Sequence, residues 1–352
     1  MRIAYVVRYW PTLSETFVVR EIAELQRRGL HIEVFALGHR RDPHPGESLS
    51  ELRVHRPPRG AALLAAAFRA IPKPIWSKQA VRVAWAARRL REGRFDRVHA
   101  HFAGEAAAFA RAAARRADLP FSVTVHANDL FVPRADLRSL LHAARPVITV
   151  CAHHAQVMHE RYQVQSRVVH CGVDPDRYPL CDPGRSRRFV SVARDVPKKG
   201  LDDLVQAMQQ VPALLRLVSD GVRLGGPGVL VGPVPAAAVD AILADAMAFV
   251  LPCRIAENGD RDGIPVAMME AMASGIPVVT TGVSGLPELV DDEVGWRVPP
   301  NHPRTLAATL REVLADPELR RRKGALARRR IVDRSFTLSA QANGLLAAWE
   351  LG

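Results

Sequence analysis

The strongest constraint on the fold is a regular alternation of short apolar runs with segments of helical spacing along the whole chain. Such runs are typical of strands buried on both faces, and intervening helices favour parallel strands joined by crossovers. Six strand candidates precede residue 175 and six follow it: Ile3–Val7, Ile32–Leu37, Val98–His101, Ser122–His126, Val147–Val150 and Val168–His170, then Phe189–Ala193, Leu214–Val218, Val229–Val231, Ala248–Leu251, Pro277–Thr280 and Gly295–Val298. The sequence therefore predicts an α/β fold with two mostly parallel sheets.

The length of 352 residues, of which 48% are hydrophobic, suits two α/β domains better than one core. The segment Asp174–Arg188 is rich in Pro, Asp and Arg and lacks an apolar period, which places the boundary there. We expect a first domain over residues 1–175 and a second over residues 176–334. Ligands of open α/β sheets bind at the carboxyl ends of the strands, so two facing sheets predict a site in the cleft between the domains.

The first helix has recognisable start and stop signals. Thr12 and Glu15 have the spacing of a capping box, and Gly29 stands where the end of a helix favours glycine. We therefore predict that Thr12 caps a helix that ends just before Gly29.

The net charge of +13 is unevenly distributed. Residues 1–175 carry 27 Lys and Arg against 15 Asp and Glu, whereas residues 176–352 carry 22 against 21. The segment Arg53–Arg94 alone holds 11 basic residues and one acid. Such a segment attracts nucleic acid, anionic lipid or a phosphorylated substrate, and it fits an arginine-rich solvated surface equally well. The aromatic content of 6%, without basic–aromatic alternation, argues against nucleic acid.

No apolar run approaches the roughly 18 residues that a membrane span needs. The N-terminal MRIAYVV is typical of a strand rather than of a signal peptide. The four cysteines (Cys151, Cys171, Cys181 and Cys253) are scattered without a C-x-x-C pair. We expect reduced thiols and a cytoplasmic protein without disulfides or a zinc site.

The first chemical motif is DGIPVAMMEAMASGIPVV, at Asp262–Val279. Pro265 suits the first turn of a helix and Gly275 its end, which places Asp262 just before the helix and Glu270 inside it. Two carboxylates at this spacing can hold hydroxyl groups on two parts of an extended ligand, and the helix N-terminus offers N–H groups to an anion. An amphipathic helix with an incidental glutamate would show the same pattern.

The second motif is VARDVPKKGLDDLV, at Val192–Val205. A strand leads into a loop that carries Arg194, Lys198 and Lys199, and a helix follows Gly200. Cations at this spacing can bind both phosphates of a diphosphate and stabilise it as a leaving group. A solvated basic loop is the alternative. The spacing of an NTPase phosphate loop is absent.

The third motif is SVTVHAND, at Ser122–Asp129, where His126 ends a β-branched strand. A histidine at the carboxyl end of a strand can donate to a sugar hydroxyl or a phosphate oxygen, although many such residues are structural. The run Gly225–Gly228 lacks the spacing of a dinucleotide fingerprint. The pairs His99/His101 and His153/His154 lack carboxylates or cysteines at metal-ligand spacing in the sequence, so we expect no metal there.

Together these motifs resemble the retaining family-4 glycosyltransferases of the GT-B architecture, in particular bacterial enzymes of the colanic-acid-biosynthesis type. The resemblance extends over nearly the whole chain and includes WPTLSETFVVREI, RVHAHFA, TVHANDL, VVHCGVD, VARDVPKKG and DGIPVAMMEAMASGIPVV with SGLPELV. It implies two facing Rossmann-like domains with a cleft between them. It also implies that residues 335–352, which include the helical stretch Phe336–Trp349, return to the N-terminal domain.

The resemblance assigns roles to single positions. Arg194 and Lys199 match the pair that binds the donor diphosphate, and Glu270 matches the second acid of the E-x7-E motif, which holds the ribose. Asp262 stands at the first acid, which contacts the transferred sugar, and His126 matches the histidine beside that sugar. Catalysis is therefore expected to depend on His126, Arg194, Lys199 and Asp262.

The remaining implied contacts are of two kinds. Backbone N–H groups near the start of the Asp262–Val279 motif are expected to meet the sugar and phosphate, and polar residues of the N-terminal domain are expected on the acceptor side. The first set is Gly263, Ile264, Pro265 and Val266, and the second is Ser14, Glu15, Thr16, Asn128 and Asp129.

Similar enzymes retain the anomeric configuration and need no metal or other cofactor. The resemblance thus implies transfer of a hexose or amino sugar from a nucleotide-sugar, UDP-sugars being favoured. The acceptor would be a hydroxyl of a glycan, lipid-linked or natural-product molecule. Arg53–Arg94 offers a possible contact with an anionic membrane at its inner face, and nucleic acid is not expected as a partner. Neither the oligomeric state nor the linkage position follows from the sequence.

The sequence departs from the family pattern in two places. Asp262 replaces a glutamate, which shortens the reach of the carboxylate by one methylene. The stretch Val218–Val231 leaves too few residues for the helix that usually separates these strands, so the C-terminal domain is expected to be shortened near 221–229. Both departures keep two alternatives open, a non-catalytic nucleotide-sugar-binding protein and a sugar-nucleotide epimerase of the same architecture. A phosphorylase would in addition carry lysine-bound pyridoxal phosphate.

Overall fold

The computed structural model describes residues 1–12, 15–38, 52–59, 77–132, 135–220, 224–232 and 236–350. The chain forms two compact units. Unit 1 comprises Met1–Val150, Ala155–Val169 and Ala342–Gly352, and unit 2 comprises Cys151–His154 and His170–Gln341. The sequence-based division, 1–175 with 335–352 against 176–334, differs from this by a few residues at both crossings and does not separate residues 151–154.

Unit 1 contains a seven-stranded sheet of order β3-β2-β1-β4-β5-β6-β7. Every strand pair in it is parallel. Its strands are β1 (Arg2–Tyr9), β2 (His31–Gly38), β3 (Val54–His55), β4 (Arg97–His101), β5 (Phe121–Val125), β6 (Val147–Thr149) and β7 (Arg167–Val168). All six predicted strands are present, although the predicted Val168–His170 overlaps β7 only at Val168. The additional β3 is too short for a sequence pattern to indicate it.

Unit 2 contains a six-stranded sheet of order β10-β9-β8-β11-β12-β13, again parallel throughout. Its strands are β8 (Arg188–Val192), β9 (Leu214–Val218), β10 (Val229–Gly232), β11 (Ala248–Val250), β12 (Val278–Thr281) and β13 (Gly295–Val298). All six predicted strands of this half are confirmed.

Helices connect most of these strands, as the right-handed crossovers of a parallel sheet require. Among the described residues they are α1 (Thr16–Arg27), α2 (Lys78–Glu92), α3 (Glu105–Ala117), α4 (Ala127–Phe131), α5 (Leu137–Ala143), α6 (Ala152–Tyr162), α7 (Leu201–Met208), α8 (Ala236–Ala244), α9 (Val266–Ala273), α10 (Leu286–Leu289), α11 (Pro303–Ala315), α12 (Pro317–Asp333) and α13 (Leu338–Glu350). Within the residues that the structure describes, no helix combines the length and apolarity needed to cross a membrane.

Both faces of the unit 1 sheet are covered because successive strand residues point to opposite sides. Ile3, Tyr5 and Val7 of β1 pack with α1 and with the end of α13. Ala4 and Val6 of the same strand belong to the second core, which is formed with α2 and α3. The last helix therefore completes the core of unit 1, which confirms the predicted return of the C-terminal helix.

The predicted start of α1 is wrong. The N-terminal cap is Glu15 rather than Thr12, and its side chain makes no capping hydrogen bond. Thr12 is buried and its hydroxyl instead lies 3.4 Å from the Tyr9 carbonyl oxygen. The predicted end is confirmed, since Gly29 follows the helix with a φ of +84°, a conformation that favours glycine.

The connection between β9 and β10 is short, as the sequence predicts for residues 221–229. Residues 219, 220 and 224–228 contain no helix, and residues 221–223 lie outside the described residues. β10 still pairs in parallel with β9, with Val229 opposite Leu215. Leu214 and Leu230 remain 45% and 51% exposed, so this edge of the sheet is less covered than the centre.

Helix α12 has a strongly basic sequence, PELRRRKGALARRRIVD. Much of this charge satisfies carbonyl groups inside unit 2. The Arg320 guanidinium, 3% exposed, donates to the carbonyls of Pro183, Val313, Leu314 and Gly184. A basic run in the sequence is here a set of internal hydrogen-bond donors rather than a surface for anions.

Candidate functional site

The loop that follows β8 carries the cations predicted to bind phosphate. Arg194 is exposed in this loop, and a 3-10 turn, Pro197–Lys199, follows it. Gly200 then adopts a φ of +63°, and a Cβ atom there would lie 2.1 Å from the Pro252 carbonyl oxygen. Because only glycine fits this contact, the turn packs directly against the chain that follows β11.

Lys199 forms an ion pair with Asp262, with its Nζ 2.7 Å from Oδ2. Both side chains are only 13% exposed. Burial opposes the charge on Lys199, but the Asp262 carboxylate outweighs it and raises the pKa of Lys199, while nearby Arg194 acts in the opposite direction. Burial likewise disfavours the Asp262 anion, yet Lys199 and Lys198 hold the pKa of Asp262 below its ordinary value. Two sequence-predicted residues, 63 positions apart, are thus in direct contact.

Lys198 extends this pair into a small network. Its Nζ lies 3.1 Å from Asp260 Oδ2 and 3.4 Å from Asp262 Oδ1. The Cys253 thiol lies 3.5 Å from Asp262 Oδ2, and burial, followed by the Asp262 charge, raises the pKa of Cys253. The thiol therefore stays protonated and donates to the carboxylate. Asp262 is held by three neighbours before any ligand binds.

Helix α9 carries the second predicted acid. Pro265 is its N-cap and Gly275, with a φ of +77°, follows its end, so both predicted ends are confirmed. Asp262 and Gly263 precede the helix by a few residues, as the sequence predicts. Glu270 lies in the second turn and accepts a hydrogen bond of 3.0 Å from the Tyr178 hydroxyl. Tyr178 is 1% exposed, so this bond restrains the carboxylate from within the core of unit 2.

This arrangement within unit 2 suits an anionic ligand with hydroxyl groups. Charged donors at Arg194, Lys198 and Lys199 can bind phosphate oxygens, and the N-terminus of α9 adds backbone N–H groups. The Glu270 carboxylate can accept from hydroxyl groups. A phosphate bound at Lys199 has to share or replace the contact that Asp262 makes.

The predicted acceptor-side residues belong to unit 1, and their placement is mixed. Glu15 and Thr16 stand at the start of α1, whereas Ser14 lies outside the described residues. Asn128 is a partly buried residue of α4. Asp129 is 1% exposed, and its Oδ2 accepts from the His126 backbone N–H at 2.9 Å. The Asp129 carboxylate is therefore committed to capping α4.

His126 is the N-cap of α4 and follows β5 directly. Its ring lies between aromatic neighbours, with centroids 4.3 Å from Phe102 and 5.2 Å from Phe17. Its Nε2 is 3.3 Å from Nδ1 of His101, and His101 Nε2 is 2.9 Å from Glu21 Oε1. His126 is thus the partly exposed end of a buried polar chain.

A segment distant in the sequence supplies a carboxylate to the His99/His101 pair, which spacing along the sequence does not indicate. Glu21 lies beside His99 and His101, and ligand atoms of the three residues are within 4.8 Å of one another. Hydroxyl groups of Ser122 and Thr124 are within hydrogen-bond distance of the two ring nitrogens of His99.

In unit 2, Glu288 accepts from the backbone N–H groups of Ala152 and His153, at 2.9 and 3.0 Å, and lies 3.2 Å from His170 Nε2.

Several residues of these networks were not predicted from the sequence. Tyr178 stands in a segment without periodicity, and nothing in its local sequence indicates that it reaches Glu270. The acidic run before Asp262 was a usable signal for Asp260 as a partner of Lys198. Glu21 lies in the motif WPTLSETFVVREI and His101 in RVHAHFA, but the resemblance assigns no role to either residue.

Two protein-family models match the chain. The model described as "Glycosyltransferase Family 4" matches residues 14–177, and the model described as "Glycosyl transferases group 1" matches residues 186–316. The first region contains all strands of the first sheet except β1, and the second contains all strands of the second sheet.

Curated relatives match part of the chain. The putative colanic acid biosynthesis glycosyltransferase WcaL of Salmonella typhimurium is 40% identical over 162 residues, which is 40% of this chain and 40% of the relative. The GDP-mannose-dependent alpha-(1-6)-phosphatidylinositol monomannoside mannosyltransferase of Mycolicibacterium smegmatis is 31% identical over 179 residues, 42% of this chain and 46% of the relative. The chain thus spans less than half the length of these relatives.

Solved structures match over the full length. HepE of Anabaena, in complex with UDP-glucose, is 18% identical with a TM-score of 0.78 and covers 100% of both chains. Sucrose-phosphate synthase of Thermosynechococcus elongatus is 20% identical with a TM-score of 0.76 and covers 100% of this chain and 98% of the other. At this identity the likeness concerns the fold, and it confirms the predicted GT-B class.

Proposed function

Because the chain belongs to the glycosyltransferases, with a family 4 region at residues 14–177 and a group 1 region at residues 186–316, we propose that it transfers a sugar from a nucleoside diphosphate to a hydroxyl group. The observation that carries this proposal is the site in unit 2. That site offers hydrogen-bond donors to phosphate oxygens, from the buried Lys199 and the exposed Arg194. It also offers carboxylates that can accept from hydroxyl groups, namely Asp262, paired with Lys199, and Glu270, restrained by Tyr178.

The donor is proposed to bind with its diphosphate on Arg194 and Lys199 and its ribose on Glu270. Asp262 then accepts from a hydroxyl of the transferred sugar, a hexose or amino sugar. Backbone N–H groups of Gly263, Ile264 and Val266 face the sugar and phosphate, while Pro265, which has no N–H, sets the start of α9. Tyr178 restrains Glu270 before the ribose arrives, which reduces the ordering that binding requires.

The reaction is proposed to retain the anomeric configuration and to need no metal. The acceptor hydroxyl oxygen bonds to the anomeric carbon on the face from which the phosphate leaves, the bond from that carbon to the phosphate oxygen breaks, and the hydroxyl proton passes to the leaving phosphate. Positive side chains stabilise the diphosphate that is released. His126 of unit 1 takes part beside the donor sugar, as the resemblance implies. Activity that survives exhaustive chelation with EDTA supports the metal-free proposal, and loss restored by one metal ion contradicts it.

The base of the donor is proposed to be uracil, as the UDP-glucose complex of the similar HepE fold suggests, although a relative is named as GDP-mannose-dependent. A thermal-shift panel of UDP-, GDP-, TDP- and ADP-sugars decides between them. A donor present at 100 times its dissociation constant stabilises the folded protein by about 2.7 kcal/mol. The strongest shift should come from a UDP-sugar. A GDP-sugar in that place would correct the base and leave the proposed reaction unchanged.

Nucleotide release from the best donor tests the activity itself. Slow release by the wild type and none by Glu270→Ala is the expected result. Donor binding without any release, with or without acceptors, would favour the non-catalytic alternative. Conversion of the free nucleotide-sugar to its epimer without an acceptor would favour the epimerase.

The acceptor is proposed to be a hydroxyl of a glycan, a lipid-linked glycan or a natural product. Analysis of the glycosylated molecule after transfer identifies which of these it is. A lipid-linked acceptor would agree with contact between an anionic membrane and the basic segment Arg53–Arg94, of which residues 60–76 lie outside the described residues. Sedimentation with anionic vesicles should exceed that with neutral vesicles, and equal partitioning would remove the membrane from the proposal.

A further inference from the structure

A chain of four polar side chains runs through the core of unit 1. The Tyr5 hydroxyl lies 2.7 Å from Glu21 Oε1, the same oxygen lies 2.9 Å from His101 Nε2, and His101 Nδ1 lies 3.3 Å from His126 Nε2. Tyr5, Glu21 and His101 are at most 2% exposed. Only His126 is partly exposed. A buried carboxylate is therefore connected to a partly exposed histidine through one intervening imidazole.

The chemistry of each group fixes where the protons lie. Burial, followed by the charge of Glu21, raises the pKa of Tyr5, so its hydroxyl keeps its proton and donates to the carboxylate. An ionised carboxylate only accepts, so His101 donates from Nε2. When the His101 ring carries only this Nε2 proton, its Nδ1 accepts, and the proton of the contact with His126 then comes from His126 Nε2.

The other groups around His101 do not change the direction of hydrogen-bond donation from His126 through His101 to Glu21. Burial lowers the pKa of His99 well below its ordinary value, so this ring stays neutral between Ser122 and Thr124. Arg97 donates to the carbonyls of Arg145 and Trp349.

Asp129 accepts from the His126 backbone N–H and holds the residue at the start of α4. The Glu21 carboxylate thus lies between the Tyr5 hydroxyl and the His101 ring.

We propose that Glu21 and His101 are positioning residues that hold the His126 ring with its proton on Nε2 and couple it to the buried carboxylate. A proton that arrives at His126 Nδ1 is then compensated, because the Nε2 proton moves to His101 Nδ1 and the positive charge lies beside Glu21. The role of His126 in sugar transfer rests on the proposed function, whereas the proton arrangement does not.

The arrangement is tested by NMR on protein labelled with ¹⁵N-histidine, in which protonated and unprotonated ring nitrogens are distinguished directly. His101→Gln and His126→Gln variants assign the two rings. The expected wild-type state has the His126 proton on Nε2. A His126 proton on Nδ1 overturns the proposal. The proposal would also be overturned if the purified protein contained stoichiometric zinc that is lost in the Glu21→Gln variant, because Glu21, His99 and His101 would then form a metal site.

A pH titration of the same signals tests the coupling. Glu21→Gln removes the charge with little change in shape, and it should lower the pH midpoint of His126 protonation by about one unit. Tyr5→Phe removes a donor from the carboxylate, makes it more basic and should raise the midpoint. The Ser122 hydroxyl lies near His99 and the Val98 carbonyl and is not a member of the Tyr5–Glu21–His101–His126 chain, so Ser122→Ala should leave the midpoint unchanged. Equal midpoints in the wild type, Glu21→Gln and Tyr5→Phe overturn the coupling.

Turnover gives the second readout. Glu21→Gln should lower kcat for nucleotide-sugar turnover at least tenfold while KM for the donor changes less than threefold, about 1.4 kcal/mol against 0.7. A changed KM with unchanged kcat would contradict the positioning role. If the wild type turns over no donor, the proposed function fails, and the NMR titration still decides the proton arrangement.

Discussion

At the scale of single residues, the site differs from its sequence prediction mainly in which side chains contact one another. The sequence indicates Lys199 and Asp262 as separate contacts to phosphate and sugar. The structure joins them at 2.7 Å, with Lys198 and Cys253 around the same carboxylate. The structure thus places two lysines directly against the Asp262 carboxylate.

Lys199→Ala should both weaken donor binding and destabilise unit 2. It removes a charged phosphate ligand, so KM for the donor should rise at least tenfold, about 1.4 kcal/mol. It also leaves the buried Asp262 with one cation instead of two, which should lower the free energy of unfolding by about 3 kcal/mol. Steady-state kinetics and denaturant unfolding measure the two effects. Lys78→Ala, at the exposed start of α2, is the control, and unchanged kinetics in Lys199→Ala would remove the diphosphate contact.

Tyr178→Phe should weaken nucleotide binding without affecting the fold of the site. The variant keeps the buried ring and removes the hydroxyl that donates the 3.0 Å bond to Glu270. A hydrogen bond to a charged group contributes roughly 1.5 kcal/mol, so the nucleotide dissociation constant should rise about tenfold. Calorimetric titration measures it. Tyr162→Phe makes the same change at the end of α6 and should bind like the wild type, and equal affinity of both variants would dismiss the restraint.

At the scale of elements, α12 shows that a basic run need not be a surface for anions. Arg320 donates to four carbonyls, and Lys323 donates to the carbonyls of Asp292 and Gly295. Gly324 allows this close approach, since a Cβ atom there would lie 2.0 Å from the Gly275 carbonyl oxygen. The end of α9 and the start of β12 are thereby fixed against α12.

Arg320→Met should destabilise the protein by about 3 kcal/mol, because several buried carbonyl groups lose their donor. Arg322→Met makes the same chemical change on the exposed side of α12 and should stay within about 0.5 kcal/mol of the wild type. Denaturant unfolding of the two variants gives the comparison. Equal stabilities would mean that the guanidinium contacts contribute nothing net.

At the scale of the whole molecule, buried histidines link stability to pH. Burial lowers the pKa of His154 to about 4, and His153 acts in the same direction. Between that pH and the ordinary value of 6.5 the unfolded chain binds the proton and the folded chain does not. The contribution of the neutral His154 ring to the free energy of unfolding is therefore complete above the ordinary pKa and is lost as the pH falls towards 4.

His154→Gln should flatten this pH dependence while a polar group remains near Ser284, whose hydroxyl lies 3.2 Å from His154 Nε2. As the pH falls from 6.5 to about 4, the free energy of unfolding of the wild type should fall by about 3 kcal/mol more than that of the variant, at roughly 1.36 kcal/mol per pKa unit. Melting temperatures between pH 4 and pH 8 measure the difference. His31→Gln, an exposed change, should follow the wild-type curve, and parallel curves for His154→Gln would show that this ring does not titrate there.

The parts of the molecule that the sequence predicts well are those that depend on local pattern. Twelve strands, the ends of α9 and the glycine that follows α1 were all readable, because burial periodicity and turn chemistry act within a few residues. The start of α1 was not, because Thr12 is buried and occupied elsewhere. The two-residue β3 was also missed, since it is held by pairing with β2 rather than by its own pattern.

The sequence by itself determined that this chain forms two parallel α/β sheets and that cations and carboxylates follow particular strands. Only the tertiary structure decided the partners: Lys199 with Asp262, Tyr178 with Glu270 and Glu21 with His101. The last two pairs are 92 and 80 positions apart. The physical reason is that parallel sheets bring distant segments together through strand order, here β1 beside β4 and β8 beside β11. Local pattern records which face is buried, but it carries no information about which distant side chain will lie opposite.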